Sequence, residues 1–381
     1  MKIALLTDGI FPYVIGGMQK HSYCLAKYLA RQGVEIDLYH FNQSERDIGT
    51  LELFSEQEKQ FIHSVVIPFP VQGKLPGHYL RESYEYSRRV YEAMQKRDPV
   101  DYIYAKGFTA WSLLDQKRKG TRFPPVGVNF HGYEMFQPPA SFRMRMEQYL
   151  LRSPVLFNLK HADQVFSYGG KITGLLASLG IPQEKIIELP AGIESEWLID
   201  QSAPTRKIRR FIFAGRYERR KGIEELHKML LGWEGPEFEF VIAGPIPLSK
   251  QIKKAGIKYT GGIADQEVMK TLLRGSDILV CPSHSEGMPN IILEGLASGL
   301  AIIATDVGAV PAMVDNENGW LISPGSEKEL EAAFRSAVHI PEQELDDKKR
   351  SSLIRVKELF FWDKLIHKTI DKITERLIVD K

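Results

Sequence analysis

The sequence predicts an α/β protein made of two Rossmann-like domains, whose parallel sheets face a central cleft. Short apolar runs alternate with longer amphipathic stretches along most of the 381 residues. This pattern is typical of parallel sheets that are covered by helices on both faces. The alternation is interrupted by a polar, proline-containing stretch at residues 201–207, and a chain of this length can form two cores. Two domains therefore follow from the pattern.

Each predicted element follows from its own run of residues. Apolar runs predict first-half strands at Lys2–Thr7, Val34–Phe41, His63–Ile67, Asp101–Ala105, Val126–Phe130 and Gln164–Ser167. Amphipathic stretches predict helices at Gly17–Gln32, Arg81–Arg97, Ala110–Lys119, Phe142–Leu151 and Lys171–Leu179. A second series of strands is expected at Arg210–Ala214, Phe238–Ala243, Asp277–Cys281 and Ala301–Ala304. The aromatic cluster at residues 360–362 interrupts a helical tail and predicts a joint between two helices.

Charge and composition exclude several classes of protein. The formal net charge of +2 argues against nucleic acid as the main partner. Residues 78–160 hold 14 Lys/Arg against 8 Asp/Glu, which indicates either an anionic surface or substrate, or a solvated face. Cys24 and Cys281 are the only cysteines, so we expect neither a disulfide framework nor a zinc site. The early polar residues do not resemble a signal peptide and no apolar run could span a membrane, which predicts a cytoplasmic protein.

The segment from residue 283 to 314 carries the most informative motif. Glu286 lies in a Ser/Gly loop after a predicted strand, and Glu294 follows after seven intervening residues, inside a helix that Pro289 is placed to start. Such a loop lies at the carboxyl edge of a parallel sheet, where ligands bind. Two carboxylates there can bind several hydroxyls of a sugar or ribose. The alternative is a capping role for Glu286 and a surface position for Glu294, but the apolar neighbours of Glu294 favour function.

Two glycine-containing turns are candidates for phosphate binding. Gly16 and Gly17 come between the first strand and the first helix, where backbone N–H groups can approach an anion. An ordinary strand-to-helix turn is the alternative, and the missing Gly-x-Gly-x-x-Gly spacing argues against a dinucleotide coenzyme. After the first strand of the second series, Gly215, Arg216 and Lys221 could neutralise a diphosphate without a metal.

Other residues near these turns have weaker signals. Arg219 and Arg220 are expected to form a solvated basic turn. His131 ends a strand at the presumed cleft, where a structural and a functional role are equally compatible with the pattern. No Asp-x-Asp pair follows a strand, so metal dependence is not indicated.

In this order and spacing, the motifs resemble the family 4 retaining glycosyltransferases of the GT-B fold over nearly the whole chain. The resemblance implies an acceptor domain at residues 1–198, a nucleotide-sugar donor domain at 199–360, and a final helix at 361–381 that crosses back to the first domain. The family commonly has Asp where this chain has Gly132, which leaves sugar choice open, and residues 300–301 replace the family's usual proline-bearing turn.

The resemblance also implies a role for each candidate residue. Gly16, Gly17 and Gly215 would approach the donor diphosphate, which Arg216 and Lys221 would bind, while His131 and Glu286 would contact the transferred sugar. Glu294 would bind the ribose, and Gly262 and Ile263 the nucleobase. The segment between the two glutamates would complete the donor site with Gly287, Met288, Pro289 and Asn290. No metal or cofactor is implied, since the nucleoside-diphosphate sugar is a co-substrate.

The function implied is transfer of a sugar from a UDP- or GDP-linked donor to a hydroxyl of a cell-surface glycan or glycolipid precursor, with retention and without a metal. A nucleotide-sugar epimerase and a non-catalytic nucleotide-sugar binding protein are the alternatives. Residues 142–152 mix basic and apolar side chains, as an interfacial helix at the inner face of an anionic membrane would. The same pattern fits a helix packed on its own sheet.

Overall fold

The computed structural model describes residues 1–14, 16–42, 53–70 and 77–379, and these form two lobes, each built on one parallel sheet. The first lobe has strands β1 (Lys2–Leu6), β2 (Glu35–His40), β3 (Ile62–Val66), β4 (Tyr102–Lys106), β5 (Val126–Asn129), β6 (Gln164–Ser167) and β7 (Ile186–Glu188). Its helices are α1 (Gly17–Arg31), α2 (Glu56–Lys59), α3 (His78–Met94), α4 (Trp111–Arg118), α5 (Phe142–His161) and α6 (Lys171–Ser178).

The second lobe repeats this alternation. Its strands are β8 (Arg210–Ala214), β9 (Glu239–Ala243), β10 (Ile257–Gly261), β11 (Ile278–Cys281), β12 (Ala301–Thr305) and β13 (Gly319–Ile322). Its helices are α7 (Ile223–Gly232), α8 (Gln266–Arg274), α9 (Asn290–Ala297), α10 (Val310–Met313), α11 (Glu327–His339) and α12 (Glu342–Leu359), and they are followed by α13 (Trp362–Val379).

Strand order places a switch point at the centre of each sheet. The first sheet runs β3-β2-β1-β4-β5-β6-β7, and the second runs β10-β9-β8-β11-β12-β13, with parallel pairing throughout the described strands. The order therefore reverses between β1 and β4 and again between β8 and β11. Open α/β sheets bind ligands in the crevice outside the carboxyl ends of such strands. Residues after β1 and β5 thus face residues after β8 and β11 across the cleft.

The last helix returns to the first lobe, as the resemblance implies. Trp362 stacks on Tyr28 of α1, with ring centroids 5.6 Å apart, and Ile366 and Ile373 join the same buried cluster. A joint at residues 360–361 separates α12 from α13, where the backbone N–H of Ile193 donates to the Phe360 carbonyl at 2.7 Å. Burying the apolar face of α13 stabilises both the helix and the lobe on which it packs.

The predicted strands and helices are confirmed to within a few residues at their ends, with one exception. Helix α5 continues to His161, ten residues beyond its predicted end, and contains Pro154. Within the described ranges, every helix is too short or too polar to span a bilayer.

Candidate functional site

Two cavities open along the cleft between the lobes. The first, the His131 cavity, has a volume of about 540 Å³ and is lined by both lobes. The second, the Ile263 cavity, has a volume of about 630 Å³. They share Gly17 of the first lobe and Gly215, Arg216 and Asn290 of the second, so they form one continuous site.

The structure brings all the sequence-predicted site residues to this cleft. The His131 cavity is lined by His131, Lys221, Glu286, Gly287, Met288 and Pro289, together with the shared Gly17, Gly215, Arg216 and Asn290. The Ile263 cavity adds Gly16, Gly262, Ile263 and Glu294. Their positions are therefore established, and the role of each remains a prediction.

The N-termini of two helices face each other across the cleft. Helix α1 begins at Gly17 and helix α9 at Asn290, and a Cβ atom on Gly17 would lie 3.5 Å from the side-chain nitrogen of Asn290. A helix N-terminus presents unpaired N–H groups and the positive end of the macrodipole. Two such ends from opposite lobes make this part of the cleft suited to an anion.

The basic turn after β8 adds side-chain cations to the same place. Arg216 is 71% exposed, and its nearest anionic partner, Glu218, lies 3.0 Å away on the same turn. Lys221 is followed by Gly222, whose φ of 67° and close approach to the Pro282 carbonyl leave no room for a Cβ atom. This glycine ends the turn, starts α7 and holds Lys221 beside the loop after β11.

Glu286 is buried in a cluster of cations. Its Oε1 accepts from Lys221 Nζ at 2.6 Å and from Ser283 Oγ at 2.8 Å, and its Oε2 accepts from Arg220 Nη1 at 3.2 Å. Burial alone would raise the pKa of Glu286, but Lys221 and Arg220 outweigh it and the pKa is lowered. The carboxylate is therefore charged at neutral pH, and its orientation in the cavity is fixed.

The expectation for Arg220 is wrong. Instead of pointing into solvent, Arg220 lines the His131 cavity and is paired with Glu286. Arg219 is also engaged, since its guanidinium pairs with Glu225 on α7. The three consecutive basic residues occupy a 3-10 turn at residues 219–221, where three residues complete one turn, so neighbouring side chains point in different directions.

Lys20 is a second residue that the sequence analysis missed. From the first turns of α1 it reaches across the cleft to Glu294, with Nζ 2.7 Å from Oε1. It also lies 4.8 Å from the centre of the Trp197 ring. Burial alone would lower the pKa of Lys20, but Glu294 outweighs this and the pKa is raised. In the sequence, only the position of Lys20 one turn after Gly16 and Gly17 could have indicated that it lies at the site.

His131 is held by a buried cluster behind the cavity. Its Nδ1 is hydrogen-bonded to the Tyr168 hydroxyl, while its Nε2 is buried without a partner among the described residues. The ring packs edge-on against His21, which in turn is hydrogen-bonded to the fully buried Lys106 at 2.9 Å. Burial, together with Lys106, lowers the pKa of His131, so the ring is neutral at physiological pH.

Gln137 connects the lobes directly at this site. Its side-chain amide donates to the carbonyl of Gly132 at 2.5 Å and to the carbonyl of Glu286 at 2.7 Å. Its Oε1 accepts from the backbone N–H of Glu286 at 3.3 Å. One buried side chain thus sets the distance between the histidine turn of the first lobe and the glutamate loop of the second.

Comparison with protein families covers both lobes. Residues 15–197 match a model described as Glycosyltransferase Family 4, and residues 208–339 match one described as Glycosyl transferases group 1. The chain belongs to glycosyltransferase family 4. The glutamate and glycine motifs resemble this same family. The boundary between the two matched segments lies between β7 and β8.

Relatives within and near this family work on several glycans, judged by their names. The chain is 34% identical over 129 residues to the teichuronic acid biosynthesis glycosyltransferase TuaC of Bacillus subtilis, covering 34% of this chain and 32% of TuaC. It is 28% identical over 175 residues to the amylovoran biosynthesis glycosyltransferase AmsK of Erwinia amylovora, covering 41% and 43%. The matched region thus spans less than half of either relative.

Solved structures share the whole GT-B fold. Sucrose-phosphate synthase of Thermosynechococcus elongatus superposes with a TM-score of 0.81 at 17% identity, covering all of both chains. HepE of Anabaena, solved in complex with UDP, superposes with a TM-score of 0.67 at 16% identity, covering 98% of this chain and all of HepE. The predicted fold class is confirmed.

Proposed function

We propose that this protein transfers a sugar from a nucleoside-diphosphate sugar to a hydroxyl of a glycan or glycolipid precursor, with retention of the anomeric configuration. One observation carries the proposal. Arg216, Lys221 and two helix N-termini converge on one point of the cleft, with buried Glu286 lining one cavity and partly buried Glu294 the other. A diphosphate fits the cationic centre, and the two carboxylates can accept hydrogen bonds from sugar and ribose hydroxyls.

We propose a binding role for each group of the site. The diphosphate lies between the N-termini of α1 and α9, and Arg216 is free to form a bidentate contact with it. Ribose hydroxyls donate to Glu294, and the nucleobase lies beside Gly262 and Ile263 in the second cavity. As the sugar–phosphate bond breaks, these cations and N–H groups stabilise the charge that develops on the leaving phosphate.

Retention is proposed to occur on one face of the sugar. A double displacement would need a carboxylate nucleophile free to attack the anomeric carbon. Glu286 is held by Lys221, Arg220 and Ser283, which lowers its nucleophilicity and fixes it as a hydroxyl ligand. We infer instead that the acceptor hydroxyl attacks from the side of the leaving phosphate, which takes up the acceptor's proton. The anomer formed can be identified by NMR of the product.

Independence from metal ions is part of the proposal, because protein cations can supply the charge that Mg²⁺ supplies elsewhere. The test is thermal stabilisation by UDP, GDP, ADP and CMP with and without EDTA. Binding to the native state raises the unfolding midpoint in proportion to occupancy. We expect one diphosphate to raise it and EDTA to leave the shift unchanged. No shift with any nucleotide would refute the proposed donor.

Activity assays separate this function from its two alternatives. An epimerase would convert the sugar nucleotide without an acceptor. A binding protein would bind the donor without turnover on any acceptor. Formation of a glycoside that requires both substrates, and loss of it in Arg216→Ala, would support the transferase.

For the acceptor we propose a substrate presented at an anionic membrane surface. Four apolar side chains on the first half of α5 are between 54% and 78% exposed, so they are not packed on the protein: Phe142, Met146, Tyr149 and Leu150. Exposed Arg145 lies among them. Gln148 and Arg152 lie on another side of the same helix and donate to the backbone carbonyls of residues 134 and 135, so the helix lies beside the turn that lines the His131 cavity.

Vesicle binding tests the membrane proposal. We expect co-sedimentation with vesicles containing phosphatidylglycerol to exceed that with neutral vesicles and to weaken as salt is raised. The double variant Phe142→Ser/Tyr149→Ser should abolish it, while Leu248→Ser removes an equally exposed apolar side chain from the second lobe and should not. Equal binding to neutral and anionic vesicles would contradict the proposal.

A further inference from the structure

A third carboxyl group lies in the His131 cavity and has no assigned role. Glu134 is on the turn that follows β5, and it lines the same cavity as Arg220, Lys221 and Glu286. Within the described part of the chain, no lysine, arginine or histidine forms an ion pair with it. Its carboxyl is hydrogen-bonded to the backbone N–H of the same residue, and a carboxylate has about four acceptor positions, so it can accept further hydrogen bonds.

The backbone of this turn is shaped to bring the carboxyl into the cavity. His131 and Tyr133 both have positive φ angles, 60° and 52°, a conformation that side-chain-bearing residues rarely adopt. Strained backbone of this kind concentrates at ligand sites, where the surrounding structure maintains it. Here it turns the chain so that His131, Gly132 and Glu134 all line one cavity.

Gly132 provides the space that Glu134 occupies. A Cβ atom on Gly132 would lie 2.5 Å from the Glu134 carboxyl carbon and 2.7 Å from its Oε2. Any side chain at position 132 would therefore displace this carboxyl. The carboxyl of residue 134 thus fills the space into which a side chain at 132 would project.

The surroundings of Glu134 fit a neutral ligand better than a cation. Burial raises the pKa of Glu134 and the nearby Glu286 adds to this, while a hydrogen bond from the residue's own backbone N–H, together with Arg220 and Lys221, opposes it only in part. Arg220 and Lys221 are already paired with Glu286. The oxygens of the Glu134 carboxyl can accept hydrogen bonds from sugar hydroxyls.

We propose that Glu134 binds hydroxyls of the transferred sugar from the first-lobe side of the His131 cavity and contributes to the choice of that sugar. This inference rests on the proposed function, because it assigns the His131 cavity to the sugar half of the donor. It makes Glu134 a binding residue for the sugar alone, without contact to the nucleotide.

Calorimetric binding of UDP, UDP-glucose, GDP and GDP-mannose tests this assignment. Glu134→Ala should leave the Kd of the free nucleotide within about twofold and raise the Kd of the sugar nucleotide that the wild type prefers by about tenfold. Glu134→Gln keeps an acceptor oxygen at the same place and should lose less. Glu184→Ala removes an exposed carboxylate of the same lobe that lines neither cavity, and should match the wild type.

The outcomes separate this inference from the proposed function. If Glu134→Ala binds the sugar nucleotide as the wild type does, or loses free nucleotide and sugar nucleotide equally, Glu134 does not bind the sugar. If the wild type binds no nucleotide at all, the proposed function fails and the assignment of Glu134 fails with it.

Discussion

The ion pair between Lys20 and Glu294 allows the proposed ribose role of Glu294 to be separated from its structural role. The pair joins the lobes at 2.7 Å, and its side chains are 20% and 12% exposed. Glu294→Gln removes the charge that would accept from ribose hydroxyls. A hydrogen bond to a charged group contributes about 1.5–3 kcal/mol, and about 1.4 kcal/mol corresponds to a tenfold change in Kd. We therefore expect the Kd of the preferred nucleotide to rise roughly 10- to 100-fold.

Lys20→Met breaks the same ion pair without changing Glu294, the proposed ribose ligand. Exposed pairs contribute up to about 1 kcal/mol, and removing one partner of a buried pair costs about 3–5 kcal/mol. The intermediate burial of this pair indicates a loss of about 1–2 kcal/mol in the free energy of unfolding. Nucleotide affinity should change less than threefold, since Glu294 keeps both oxygens. The double variant should regain part of the lost stability and keep the weak binding of Glu294→Gln.

A second pair in the same region provides the control. Lys27 of α1 pairs with Glu194 at 2.8 Å with similar burial, and neither residue lines the two cavities. Lys27→Met should lower stability in urea denaturation and leave calorimetric nucleotide binding unchanged. If Lys20→Met weakened binding as much as Glu294→Gln does, the effect would come from the alignment of the lobes, and the ribose assignment would be refuted.

Three further predictions concern other parts of the molecule. Arg220→Ala should lower kcat/KM for the donor roughly 10- to 100-fold because Glu286 loses a charged partner, and unchanged kinetics would contradict its place in the site. Burial raises the pKa of Asp8 to about 6, although Gln19 donates a hydrogen bond to its carboxyl. The native state therefore binds this proton more tightly than the unfolded chain does, and the free energy of unfolding should fall as pH rises from about 4 to 6. Asp8→Asn should remove that fall and gain up to about 2 kcal/mol at pH 7 in urea titrations, and parallel pH curves for variant and wild type would count against it. Trp362→Ala should cost about 3–5 kcal/mol, measured by the same titrations, and a loss below 1 kcal/mol would mean that α13 does not depend on this contact.

The sequence was sufficient for most of the fold because buried central strands have a strong apolar signal. The strands that it did not identify, β7, β10 and β13, all lie at sheet edges. Each has exposed or half-buried positions, so their residues are less uniformly apolar than those of the central strands. Because edge strands are less buried, they need fewer apolar side chains, and apolar runs therefore do not identify them.

The predicted site residues all line the cleft, and the two that the sequence did not identify, Arg220 and Lys20, depend on side-chain direction and on contact between the lobes. Gly17 and Gly215 follow strands, and strand ends meet at a sheet edge, so local sequence places them. Arg220 differs from Arg219 only in which way a 3-10 turn points it, and nothing in the three-residue basic run distinguishes them. Lys20 pairs with a residue 274 positions away, which only the assembled lobes bring together.

The two crossings of the chain between the lobes determine how the molecule can open. One crossing lies before β8 and the other at residues 360–361, and they are side by side, since Ile193 donates to the Phe360 carbonyl and accepts from the Trp362 N–H. Because the two chain crossings are adjacent, they resist twisting of one lobe against the other and favour rotation about a single axis. The cleft should therefore widen by rotation about a line through residues 193 and 361, with the largest displacement at the points farthest from that line.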